Sequence, residues 1–234
     1  MKIGIMQPYL FPYIGYWQLM NAVDRYVIFD DVNFINRGWI NRNRILVNGA
    51  PKYFNVQMSG ASQNKRILDV GVTNDPAEAG KQLAMIENAY RKAPAFADCF
   101  PLVADCFRYK GKNLADFVAH SIRGTADYLG IETELLLSSE IEKDETKRGQ
   151  EKILDLCKRL GATEYYNAIG GRELYDQAAF SAAGIGLSFV QAGEARYEQF
   201  SGAPFVPYLS IIDVMMFCDR AQIARLLNDF TLVK

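Results

Sequence analysis

The opening of the chain constrains its fold more than any other stretch. Residues 2–6 (KIGIM) are short and apolar, as buried parallel strands are. Directly after them Pro8 and Pro12 stop any regular element from continuing. Gly15 then permits close backbone approach where a helix begins, and RYVIFDD follows as a second strand ending in two acids. Strand, loop, helix, strand places a loop and a helix N-terminus at the carboxyl edge of a sheet. Open α/β folds bind nucleotides and other anions there.

The same grammar returns after residue 130, where ETELLLS, TEYYNAI and IGLSFVQ alternate with helical stretches. That βαβαβ pattern implies a parallel sheet with right-handed crossovers. Strands are expected at 2–6, 25–30, 52–58, 66–73, 134–138, 164–169 and 186–191. Helices are expected at 14–22, 77–91, 95–109, 113–129, 146–160, 172–182, 210–217 and 219–228. The stripe Ile153, Leu154, Cys157, Leu160 with Gly161 as its stop marks the clearest helix. The fold class is therefore α/β: a Rossmann-like, mostly parallel sheet flanked by helices. Residues 33–130 form a largely helical insertion within a single domain, 1–234.

Half of the residues are hydrophobic, enough for a full core without disulfides or metal. A net charge of −1 gives no general attraction to nucleic acid. No apolar run reaches the roughly 18–20 residues of a membrane helix. The start shows no basic and apolar leader pattern, so the expected location is cytoplasmic. Cys99, Cys106, Cys157 and Cys218 match no zinc spacing and read as buried thiols. The one histidine, His120, follows FVA on an amphipathic helix and reads as structural, which argues against a His-based triad or a multi-His metal site.

Four loops of the expected sheet edge carry chemistry: 7–16, 30–44, 170–176 and 197–213. In the first, Gln7, Tyr9, Tyr13 and Tyr16 are either core groups or hydrogen-bond donors and stacking planes. Asp30 and Asp31 close the second strand; either is a sugar or metal ligand, a general base or a turn-forming aspartate. Arg37, Arg42 and Arg44, interleaved with Trp39, Asn41 and Asn43, suit phosphate, ring and hydroxyl recognition, or form a solvated loop. Gly170 and Gly171 at a strand-to-helix turn expose N–H groups or simply make the turn tight, with Tyr175 just beyond. Ser210 is a helix N-cap, with Asp213 at N3, or a phosphate ligand.

Residues 1–45, from MKIGIMQPYLFPYIGY to INRNRI, resemble the start of the WbqC-like family. YRKAPAF, LGATEYYNAIGG followed by ELYD, and FVPYLSIIDVMMF resemble its later segments in the right order. The resemblance covers nearly the whole chain. It implies a bacterial protein associated with surface polysaccharides and other specialised sugars. The implied chemistry is transfer of an acyl or aminoacyl group to an amino sugar, with ATP and Mg²⁺ or an acyl thioester as alternative donors. A non-catalytic nucleotide-sugar binding or assembly subunit is the other reading. The implied partner is a small nucleotide or nucleotide-sugar. PYIGY also resembles the H-x-G-H motif of nucleotidylyltransferases, with Tyr13, Gly15 and Tyr16 at its His, Gly and His positions. On that resemblance Tyr13 and Tyr16, with Asp30 and Asp31, are the catalytic candidates. Tyrosine donates a hydrogen bond there but carries no positive charge at neutral pH.

Overall fold

The computed structural model describes residues 1–200 and 204–234. Strand β1 (Lys2–Met6) leads through α1 (Ile14–Asn21) to β2 (Arg25–Ile28). The insertion begins with a hairpin, β3 (Arg42–Val47) and β4 (Ala50–Asn55), and a small pair, β5 (Met58–Ser59) and β6 (Gly71–Val72). Helices α2 (Pro76–Tyr90), α3 (Phe96–Arg108) and α4 (Leu114–Leu129) complete it. The chain returns to the sheet as β7 (Glu134–Leu137), α5 (Gly149–Arg159), β8 (Glu164–Ala168), α6 (Gln177–Ala182) and β9 (Gly186–Ala192). It closes with α7 (Ile211–Phe217), α8 (Arg220–Asn228) and β10 (Phe230–Val233).

The main sheet has the order β10-β9-β8-β1-β2-β7. All pairs are parallel except β9 with β10. The first strand thus lies near the centre, as its apolar run requires. From β1 the chain moves to β2 on one side; from β8 it moves to β9 on the other. Their carboxyl ends form the topological switch point where such sheets bind ligands.

Period-two alternation builds two cores. Ile3, Ile5, Val27, Tyr165, Leu187 and Phe189 face α5 and α6 through Ile153, Leu156 and Phe180. Tyr26, Ile28, Tyr166 and Val190 belong to the other face, with Trp17, Leu19 and Met20 of α1. Phe54, Ile86, Val103 and Phe107 of the insertion join this second core, so the insertion packs directly on the layer beneath the sheet. Each such side chain, fully buried, contributes about 1.5–3 kcal/mol.

The caps explain where helices begin and end. Asn113 accepts from Asp116 N at 2.9 Å, and Gly130 ends the same helix at φ +73°. Asp75 caps α2 with Pro76 at its first position.

Several expectations need correction. The basic loop expected at 30–44 ends in a strand, β3, from residue 42. Its partner is β4, expected at 52–58 and found at 50–55, and the turn between them is Asn48–Gly49, both at positive φ. Asn-Gly is the strongest short hairpin signal, and its presence overrides the weak strand propensity of the Arg and Asn run. The strand expected at 66–73 is a 3₁₀ turn, Ile67–Asp69, followed by two-residue β6. Leu68 N donates to Asp30 O and Ile67 N to Val32 O, which fastens this segment to the end of β2. The helix expected at 172–182 splits into a 3₁₀ turn (Ile169–Leu174) and α6, because Asp176 caps a new start through Ala178 N. Helix α5 starts at Gly149 rather than 146, since Asp144 holds Thr146 in a turn. Strand β10 was not expected; it adds antiparallel to β9 at the sheet's edge. Among the described residues no helix is long and apolar enough to cross a membrane.

Candidate functional site

The loop after β1 is held by side chains from distant elements. Asn43 Nδ2 donates to the carbonyls of Leu10 and Phe11 at 3.1 and 2.9 Å. Ser210 Oγ donates to Phe11 O at 2.7 Å, and Trp17 Nε1 to Pro12 O at 3.0 Å. Leu10 N donates to Trp39 O, and Ile211 N to Pro12 O. These ties hold Phe11 at φ +43°, a conformation that costs about 1–3 kcal/mol outside glycine. Ser210 also caps α7 by accepting from Ile212 N at 3.2 Å, so its hydroxyl serves the loop and the helix together.

Tied in this way, the loop, the hairpin and the segment before α7 enclose a pocket of about 210 Å³. Tyr9, Pro12, Tyr13, Trp39, Asn43, Arg44 and Tyr208 line it. Arg44 is its one charged group. The guanidinium lies 5.4 Å from the Trp39 ring centre, and Nη2 donates to Tyr208 O at 3.2 Å. Arg44 Nε is buried with no acceptor among the described residues. A buried donor without an acceptor costs about 1–3 kcal/mol, more for a charged group. Trp39 is flanked by Arg44 and by Tyr53, whose ring centre is 6.3 Å away. The planes open to a ligand are therefore Tyr13 and Tyr208, both exposed and the latter at φ +56°. Burial raises the pKa of Tyr9 and Tyr13, each helped by a neighbouring tyrosine, so both remain hydroxyl donors at neutral pH. Gly15 makes room for Tyr13: a Cβ there would lie 2.6 Å from the Tyr13 ring.

The other expected site residues lie outside this pocket. Tyr16 is buried and donates to Gln7 O at 3.2 Å; desolvation pushes its pKa up, and its ring packs against Trp17 and Tyr26. Gln7 Oε1, just past the end of β1, is buried without a donor among the described residues. Asn41 donates to Val56 O at 3.3 Å. Arg42 donates to Gly38 O and Arg37 O and stacks 4.8 Å from Tyr53, so two of its donors are engaged by the segment just before the hairpin. Arg37 is exposed at φ +59°.

Asp30 accepts from Ser139 N at 2.9 Å and Ser139 Oγ at 2.5 Å, which ties β2 to the segment after β7. Lys143 and Lys152 approach Oδ2 of Asp31 at 2.8 and 3.1 Å, and all three side chains are almost fully buried. Burial alone would raise the Asp31 pKa; donation by Lys143 and the charge of Lys152 outweigh it and hold the carboxyl below its usual range.

At the end of β8, a Cβ on Gly171 would lie 2.9 Å from Asn167 Oδ1, so glycine is needed there for packing. Asn167 donates in turn to Tyr165 OH and Tyr175 OH at 2.6 and 3.0 Å. Gly170 is exposed. Asp213 is fully buried and accepts from Tyr90 OH, Tyr197 OH and Gln199 Nε2 at 2.6, 2.6 and 2.7 Å. Desolvation raises its pKa against these three donors. Gln199 also exchanges hydrogen bonds with both backbone groups of Val206. The Asp213 network thus anchors the loop that delivers Tyr208. Residues 201–203 of the expected loop 197–213 lie outside the described residues.

Sequence reasoning did not single out Tyr208 as a pocket wall, nor Tyr90, Tyr197 and Gln199 as the partners of Asp213. Pro207 before Tyr208 was the available signal for a rigid turn. The four cysteines are free and buried, and His120 stacks on Tyr109 with Nε2 3.0 Å from Asp105 Oδ2. No cluster of three or more metal-ligating side chains occurs among the described residues.

Against known proteins, residues 7–225 match the family described as the WbqC-like protein family. An uncharacterized protein of Mycobacterium tuberculosis, Rv1507c, is 27% identical over 216 residues, covering 92% of this chain and 92% of that protein. No solved structure matches the chain.

Proposed function

The chain belongs to the WbqC-like protein family, and from that premise we propose that it is an enzyme of bacterial surface-polysaccharide or specialised-sugar biosynthesis. It transfers an acyl or aminoacyl group to a nucleotide-linked amino sugar in the cytoplasm, forming an amide. The observation that carries the reading is Arg44, the one charged residue lining a tyrosine-rich pocket at the carboxyl edge of a parallel sheet. Such a pocket suits an anionic group next to a flat ring. At about 210 Å³ it takes one part of a nucleotide-sugar, a base or a sugar with its phosphate, rather than the whole.

The chemistry matches the groups present. The amine of the sugar attacks the acyl carbon, the N–C bond forms and the bond to the donor's leaving atom breaks. With a thioester donor, the thiolate leaves and takes up the proton that the amine loses. Neutral Tyr9 and Tyr13 supply O–H donors for the oxyanion of the tetrahedral intermediate. An ATP-activated acid is the alternative donor, with Mg²⁺ on its phosphates.

One observation favours a second reading, a non-catalytic nucleotide-sugar binding or assembly subunit: neither a carboxylate nor an imidazole lines the pocket. Thermal-shift and calorimetric screening against ATP, acyl-CoA and UDP- or dTDP-sugars separates the two. Amide formation with one donor mixture supports the enzyme; nucleotide-sugar binding without turnover in any mixture supports the binding subunit. Arg44→Ala should weaken the ligand by about 2–5 kcal/mol. Arg42→Ala, engaged with backbone carbonyls, should weaken it by under about 1 kcal/mol. Unchanged affinity in Arg44→Ala removes the pocket from the reading.

A further inference from the structure

A larger cavity, about 620 Å³, lies in the insertion, between α2, the end of α3 and the strand β4. Its volume falls in the usual range for small-molecule sites. It shares no lining residue with the sheet-edge pocket. The floor is apolar: Val56, Leu83, Phe107 and Phe117 are buried there, and Phe100 is partly so. Phe107 lies 6.3 Å from Phe11 and 6.1 Å from Phe54, ring centre to ring centre. An aromatic wall therefore stands between this cleft and the loop after β1.

The rim divides by charge. Glu87 projects from α2, and Arg108 and Lys110 come from the end of α3 and just beyond it. Among the described residues none of the three enters an ion pair. The remaining rim acids are engaged: Asp75 accepts from Ala77 N, and Glu78 pairs with Lys81. Gln82 directs its Oε1 to Asn55 N at 3.2 Å, leaving its own amide donors free for a ligand.

We propose that this cleft is a second ligand site, built for an apolar zwitterion: an amino acid with a large hydrophobic side chain, free or at the end of a short peptide. The side chain would lie on Phe100, Phe107 and Leu83, the ammonium at Glu87, the carboxylate at Arg108 and Lys110. Charge complementarity selects this class. A neutral apolar ligand leaves the three rim charges unanswered. A phosphate ester has no cation to answer Glu87 and meets it as a like charge.

The test is calorimetry of the full chain with L-phenylalanine and with the dipeptide L-phenylalanyl-L-phenylalanine. N-acetyl-L-phenylalanine and L-phenylalanine amide, each lacking one charge, serve as controls. Saturable binding of either zwitterion is expected, weakened at least about tenfold in both controls and in Glu87→Gln and Arg108→Gln. Tighter binding of the amino acid or of the dipeptide identifies the source. Arg44→Ala, in the other pocket, should leave this affinity unchanged. Both rim residues are exposed, so circular dichroism and melting of the variants should match the parent. Binding should also shift the methyl resonances of Leu83 and Val56. Absence of saturable binding up to about 10 mM would overturn the proposal. So would unchanged affinity in both rim variants, or methyl shifts confined to residues elsewhere.

Discussion

Replacing Asp31 by Ala tests whether the acids at the end of β2 hold the sheet edge together. Its Oδ2 receives Lys143 Nζ at 2.8 Å and Lys152 Nζ at 3.1 Å, with side-chain exposures of 2% for Asp31, 1% for Lys143 and 6% for Lys152. Removing one partner of a buried ion pair costs about 3–5 kcal/mol, because the other charge stays behind without compensation. Lys152 is left without a counter-charge, which argues for the upper half of that range, although Lys143 keeps the carbonyls of Ser138 and Ile141. Glu145, 3.4 Å from Lys143, argues the other way, but it is 65% exposed and therefore screened. A loss of about 4 kcal/mol follows, a large share of the roughly 5–15 kcal/mol that holds a typical domain folded. Urea unfolding monitored by circular dichroism measures it as a lower midpoint at unchanged slope. The triple variant Asp31→Leu, Lys143→Met, Lys152→Met removes all three charges and should recover most of the loss. The pH sign is fixed by the lowered pKa. The Asp31 contribution is fully present above the unfolded-state value of about 3.9 and disappears as pH falls through the lower folded value. A loss below about 1 kcal/mol in Asp31→Ala would refute the reasoning and return Asp31 to the list of free, ligand-binding acids.

Gly15→Ala should push the Tyr13 ring out of place, since the new Cβ would lie 2.6 Å from it. Tyr13 is 39% exposed and can swing away, so stability should fall by only about 1 kcal/mol while pocket binding weakens; calorimetry with the ligand found by screening checks this. Asp213 behaves oppositely to Asp31. Its raised pKa means that the native state holds the proton more tightly, so stability should decline as pH climbs from the unfolded value toward the folded one. Asp213→Asn should flatten that slope in urea titrations, and an unaltered slope would exclude Asp213 as its source. Burial pushes the four cysteine thiols up to about 12, so the native protein should resist a thiol reagent at neutral pH and react at all four sites once denatured.

Apolar period and turn chemistry alone determined the alternating strands of the parallel sheet, the central place of β1 and the boundaries of α4. Those features depend on neighbours in sequence: alternation selects a face, and Asn113 and Gly130 close local hydrogen bonds. The hairpin is not among the expected elements: the Arg and Asn run reads as a loop, although Asn48–Gly49 is a local turn signal for it. The fate of the polar residues was not legible, because it depends on what lies opposite them after folding. Arg42 and Arg44 are two residues apart on one strand, yet one donates to the carbonyls of Arg37 and Gly38 while the other lines the pocket and donates to Tyr208 O. Ser210 meets Phe11 across nearly the whole chain, and Asp31 meets lysines from a loop and a helix that follow a different strand. Partners so distant in sequence leave no periodic trace. Only the tertiary structure decided which acids are tied to distant elements, which arginine lines the pocket and where Tyr208 closes it.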